Sequence, residues 1–251
     1  MNPFAITVVI FGFVFGGALL GMALRVYVPE GHSSSDSREA IRLGMGLVAT
    51  TVALVLGLLI ASAKGFYDTQ NTEMTEVAAN VVLLDRVLAH YGPEANDSRA
   101  VLRTTVASLV DRAWQDSDQG KKRFDPAVSG GEVIWDTIQE LKPANENQQS
   151  LRTQALGLAI QLGRLRWLMF EQKSSALPRP LLVIMVAWLT LLFISFGLFI
   201  RPNLTVMLSL FASSLAVCSA IFLILEMFQP YSGLIQVSEA PLRAALAQLG
   251  Q

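Results

Sequence analysis

One stretch of this chain holds residues suited to moving an ion. Gly46, Thr50, Ala53, Gly57, Ile60 and Lys64 are spaced by four and three, so they fall on one face if the stretch is helical. Small side chains with one hydroxyl can border water. A bulky aliphatic such as Ile60 can close a narrow path by dewetting, and a lysine at one end favours anions. The same face can instead pack against the glycines of the first apolar stretch. Acid–base, nucleophilic and metal chemistry find little support. His32 and His90 stand far apart, Cys218 is the only cysteine, and no zinc or haem spacing can be built from them. There is no GxxxxGK[ST], GxSxG, HExxH or GxGxxG after a strand. The reading is therefore no enzyme, no cofactor and no metal.

The elements that carry this face follow from charge distribution. Of 251 residues, 52% are hydrophobic and only 16% charged, against about 25% charged in soluble domains. Met1–Leu24, Leu43–Ala63, Pro180–Ile200 and Pro202–Leu225 contain no Asp, Glu, Lys or Arg. Each is long enough to cross the hydrocarbon core, which takes about 20 apolar residues. Transmembrane helices are predicted near Phe4–Arg25, Leu43–Lys64, Leu181–Ile200 and Leu204–Met227. The first is a retained span rather than a signal peptide. It has no basic residue before it, its apolar run is too long, and Arg25 stands where small residues would precede cleavage. A net charge of −1 gives nucleic acid no purchase.

Gly12, Gly16, Gly17 and Gly21 form two consecutive small-xxx-small pairs, the pattern that lets helices approach closely in lipid. They fit contact with helices of the same chain or between copies. Ser209, Ser213, Ser214, Cys218 and Ser219 on the fourth span fit packing or transport.

Residues 65–179 read as helical. No proline interrupts the exit of the second span, and Met74, Val77, Val81, Leu84 and Leu88 form a heptad stripe. One helix should therefore run on to about Tyr91 and stop at Gly92-Pro93. A second runs from Asn96–Ser98 to about Gln115, a short one over Glu132–Leu141, and a long one from Asn145–Asn147 to before Pro178. Asp116–Gly131 reads as a loop whose run Lys121-Lys122-Arg123 faces solvent or lipid headgroups. In the tail, Ser238 and Pro241 begin a short amphipathic helix with Leu242, Ala245, Leu246 and Leu249 on its apolar face. That face should lie on the membrane surface or on the helical domain. The layout is a transmembrane hairpin (1–64), a helical extramembrane domain (65–179), a second hairpin (180–227) and a tail (228–251).

The stretch Leu225-Glu226-Met227-Phe228-Gln229-Pro230-Tyr231-Ser232-Gly233-Leu234-Ile235-Gln236-Val237-Ser238 resembles the end of a bacterial membrane family labelled bestrophin-like. There an acidic residue closes the last span before a Pro-aromatic-x-Gly turn. Ala53–Lys64 is similar to that family's second span and Leu83–Glu94 to its first soluble helix. The resemblance implies an all-α membrane protein of bestrophin-like layout in the bacterial inner membrane, a homo-oligomer surrounded by lipid. Glu226, at the end of the fourth span, either anchors the tail through backbone N–H groups, together with Pro230 and Gly233, or sits among the lipid headgroups. True bestrophins are pentameric anion channels whose second span lines the pore. The tail departs from animal bestrophins, which follow Pro-Phe-Gly with acidic, calcium-binding residues. Here Leu234, Ile235 and Gln236 stand in that region, so no calcium clasp is expected. Leu43–Lys64 also lacks an aromatic constriction.

Three function classes follow. One is an oligomeric, anion-preferring channel; another is a membrane-anchored scaffold without transport; the last, a proton-conducting stator subunit of the flagellar motor or Tol type, shares the two-plus-two layout but finds no family motif here. Positive charge in the short loops (Arg25, Arg38, Arg42, Arg201) favours an extracytoplasmic helical domain, while Lys64, Lys173, Arg179 and the bestrophin analogy favour the cytoplasm. Both sides stay open.

Overall fold

The computed structural model describes residues 2–27, 35–114, 131–174, 179–200, 203–231 and 233–250. The basic run Lys121–Arg123, most of its loop, His32, Pro178 and Arg201 lie outside them. Among the described residues the regular structure is entirely helical. The α-helices are α1 (Pro3–Leu24), α2 (Ser35–Tyr91), α3 (Asn96–Trp114), α4 (Gly131–Gln139), α5 (Glu146–Ser174), α6 (Arg179–Phe199), α7 (Leu204–Met227) and α8 (Ala240–Gln248). Four of them are long and apolar enough to cross a membrane: Pro3–Leu24, Glu39–Tyr91, Pro180–Phe199 and Leu204–Met227.

Helix α2 is 57 residues long and unbroken. It starts earlier than the charge-free window because Ser35–Arg42 is polar but not helix-breaking; loss of charge marks where lipid is tolerated, not where a helix begins. Arg38 and Arg42 therefore belong to α2 rather than to a connecting loop. Gly92 ends it, with φ at +124°, a backbone setting that L side chains rarely adopt.

The chain divides into two compact units. The first is Met1–Phe66 with Leu177–Phe228; the second is Tyr67–Ala176 with Gln229–Gln251. In the first, α1 packs on α6 and α7. Val14, Ala18, Val52, Leu59, Ala63, Met185, Leu189, Cys218 and Ile221 are among its buried residues. The α1–α6 approach is close because glycines meet there. A Cβ on Gly21 would run into the Ile194 carbonyl, and one on Gly197 into the Ala18 carbonyl and the Met22 amide. Phe11 and Phe15 meet Phe211 of α7 edge-on, with both centroid separations 5.4 Å. Three hydroxyls on these helices bond within their own helix. Thr190 donates to the Val186 carbonyl (2.7 Å), Ser214 to Phe211 (2.8 Å) and Ser219 to Leu215 (2.8 Å).

The second unit is built on the heptad stripe. Met74, Val77, Val81, Leu84 and Leu88 of α2 are buried with Leu102 and Val106 of α3, Ile138 of α4, and Ala155 and Leu165 of α5. Helix α5 starts with a reciprocal cap. Asn145 Oδ1 accepts from the Gln148 amide (2.8 Å), and Gln148 Oε1 accepts from the Ala144 amide (2.7 Å). Arg152 donates to the Ile138 and Gln139 carbonyls at the end of α4, satisfying groups that a helix C-terminus leaves open.

The tail belongs to this core. Val237, Leu242, Ala245 and Leu249 are buried in it, each larger aliphatic contributing about 1.5–3 kcal/mol by its burial. The Ser238 hydroxyl accepts from the Ala240 amide (3.2 Å), and Pro241 sits in the first turn of α8.

Candidate pore face and tail anchor

Gly46, Thr50, Ala53, Gly57, Ile60 and Lys64 are all exposed in the single chain, Ile60 at 39%. The side of α2 turned into its unit instead carries Val52, Leu59 and Ala63. Thr50 donates to the Leu47 carbonyl (2.8 Å), so its hydroxyl is bonded along its own helix. A Cβ on Gly46 or Gly57 would meet nothing within 4 Å. The small face of α2 is therefore not seated on the glycines of α1 within this chain. Of those glycines, Gly17 lies against Thr190 and Ile194, and Gly21 against Ile194, both on α6. Gly12 and Gly16 look into open space. The apolar window of α2 is also the least covered of the four, 11% buried against 28% for each of the others.

Glu226 is buried at the end of α7. Beyond it, the Pro230 carbonyl accepts from the Val237 amide (2.8 Å), closing a turn. Gly233 holds φ at +94° within it, and the Gln236 side-chain amide donates to the Gly233 carbonyl (2.9 Å). Among the described residues no three His, Cys, Asp or Glu side chains converge as a metal ion would require.

A family model for the bestrophin-like domain matches residues 12–242. The chain belongs to the bestrophin-like family. It is a bestrophin-like membrane protein of all-helical fold. A crystal structure of a bacterial bestrophin homologue from Klebsiella pneumoniae carrying one substitution is 12% identical. It covers 96% of this chain and 97% of its own, with a TM-score of 0.67. A second variant of the Klebsiella pneumoniae homologue is 13% identical, covers 95% and 99%, and has a TM-score of 0.65. A structure described as a membrane protein is 14% identical, covers 96% and 99%, and has a TM-score of 0.66. These likenesses establish the bestrophin fold. No curated protein matches the chain.

Two polar groupings in this bestrophin-like chain escaped the reading of its sequence. In one, Asp85 (2% exposed) accepts two hydrogen bonds from the Arg99 guanidinium, at 2.8 and 3.0 Å, and one from the Gly250 amide at 3.4 Å. The hydrogen bond to Asp85 raises the Arg99 pKa against the opposing pull of burial. In the other, Gln70 (1% exposed) accepts from the Tyr231 hydroxyl at 2.9 Å and donates to Glu73 at 3.3 Å, while Tyr67 donates to the Gln236 carbonyl at 3.0 Å. Burial, then the nearby Glu73 charge, pushes the Tyr231 pKa up. A signal existed for Gln70: it stands four residues before Met74, where the stripe calls for an apolar residue. A polar residue on an apolar stripe asks for a partner.

Proposed function

We propose that this protein assembles as a ring of copies around a pore lined by α2 and conducts ions, preferring anions. The supporting observation is the exposure of the face from Gly46 to Lys64 on the least covered of the four apolar helices. In a single chain that face is exposed, whereas a ring would turn it toward a shared axis. Ile60 is the constriction and Lys64 the anion-favouring charge at one mouth. In this reading residues 1–64 and 180–227 are the spanning hairpins of a multi-pass inner-membrane protein. Residues 65–179 form the extramembrane domain, and Glu226, Pro230 and Gly233 anchor the tail 228–251. The family membership supports the channel assignment.

The test is native mass spectrometry of the nanodisc-solubilised particle, followed by planar-bilayer recording in chloride and potassium gradients. The expected particle is a closed ring of about five copies that passes current. Ile60→Ala should raise unitary conductance, and Lys64→Gln should move the reversal potential toward cations. A monomer or dimer that carries no current refutes the pore and leaves a membrane-anchored scaffold.

A further inference from the structure

The tail grips α2 at two places. Near one end, Tyr231 and Gln236 reach Gln70 and Tyr67, which lie one turn apart on α2. Near the other, the Gly250 amide reaches Asp85. Gln70 and Asp85 are separated by about 22 Å of helical rise. Between the grips, Val237, Leu242, Ala245 and Leu249 are buried.

These two kinds of contact do different work. Apolar burial holds the segment down but is non-directional, so an aliphatic face can sit in more than one register at similar energy. Hydrogen bonds to buried groups have one geometry, and a register that misses them leaves polar atoms unsatisfied. The grip at Gln70 is also preformed on the tail side. The Pro230–Val237 turn is closed by its own 2.8 Å hydrogen bond and by the Gln236 amide on the Gly233 carbonyl. The Tyr231 ring supplies packing that a phenylalanine would match, so the hydroxyl is what adds direction. Gln70 stands six residues beyond Lys64 along the same unbroken helix.

We propose that the Tyr231 hydroxyl is a latch fixing the register of α2 against the tail at Gln70, and that this latch tunes the opening of the pore. The tuning rests on the channel reading; the latch does not. Tyr231 is a positioning residue: it touches no ion path and acts through α2.

The test uses the full-length protein in nanodiscs and bilayers, comparing Tyr231→Phe, Gln70→Ala and the double variant. In Tyr231→Phe, the loss of one neutral buried hydrogen bond should speed amide exchange at residues 67–73 and 229–238 by about three- to tenfold, with the thermal midpoint of the particle nearly unchanged; Gln70→Ala, which also loses the bond to Glu73, should exceed it. The two substitutions should be non-additive. Open probability should change by a similar factor at unchanged unitary conductance, which general loosening of the fold would not produce. Unchanged local exchange, or strict additivity, overturns the latch. Faster exchange with unaltered open probability overturns the tuning. A wild-type ring that passes no current also overturns the tuning, while the exchange comparison still decides the latch.

Discussion

Alanine substitution along the glycines of α1 should give a graded result that the structure ranks in advance. At Gly21, a Cβ runs into the Ile194 carbonyl and sits 2.9 Å from its carbon and 3.1 Å from its Cα. All three are backbone atoms, so no side chain can swing aside, and α1 and α6 must separate. Overpacking of this kind costs about 1–3 kcal/mol, which exceeds the gain of about 0.5–1 kcal/mol from replacing glycine by alanine in a helix. Gly197→Ala attacks the same crossing from the other side and should fall in the same range. At Gly17 the contacts are 3.1–3.3 Å, two of them with side-chain atoms of Thr190 and Ile194, so relaxation should roughly cancel the loss. Gly12→Ala and Gly16→Ala meet nothing and should be neutral to slightly stabilising in an isolated chain. The assay is thermal unfolding in detergent under monomerising conditions, read by intrinsic fluorescence. If Gly21→Ala unfolds with or above Gly16→Ala, the α1–α6 crossing described here is wrong. In the assembled particle the comparison gains a second use. A loss of oligomer with Gly12→Ala or Gly16→Ala would assign that open face to contact between copies.

Other outcomes follow from the helical unit. Arg99→Ala leaves the buried Asp85 carboxylate without its guanidinium and should destabilise the unit by about 3 kcal/mol, read as a lower urea midpoint. Asn145→Ala removes the acceptor for the Gln148 amide and should cost about 1 kcal/mol, with faster exchange confined to the first turn of α5. Burial raises the pKa of Tyr231 above its ordinary value of 10. Above that pH the unfolded chain has lost a proton that the folded chain retains, so this group's contribution to stability is constant below about pH 10 and is lost as pH rises further. Tyr91, raised by burial and then by Glu94 against the opposing Arg152, should add to the same loss. Tyr231→Phe should shallow the alkaline decline, and an unchanged slope would argue against the burial of this hydroxyl.

What the sequence made legible is what depends on neighbours along the chain. Four charge-free runs mark four apolar helices because charge in hydrocarbon is costly over any stretch of that length. The unbroken α2 follows from the absence of proline and from the stripe Met74–Leu88. Asn145 three residues before Gln148 encodes the start of α5. What escaped depends on distant partners. The glycine pattern of α1 announced a close approach but not that Gly197 and Thr190 of α6 would supply the other side. Tyr231 and Gln70 are 161 residues apart, and no local rule pairs them. The face from Gly46 to Lys64 was legible as a face; its exposure in the single chain required coordinates.

The second unit is closed by two stretches of chain with α6 and α7 between them. During synthesis Tyr67–Ala176 emerges first and must wait with Gln70 and Asp85 lacking their tail partners and with the seat of Leu242 and Leu249 open. That delay puts a long-range contact late in the folding order and leaves an apolar surface uncovered in the meantime. A chain broken after α7 could carry every apolar helix intact and still fail, because its helical unit would expose what residues 229–250 normally cover. Until the tail has docked, the helical unit shows the apolar seat of Leu242 and Leu249, a surface of the kind that invites aggregation.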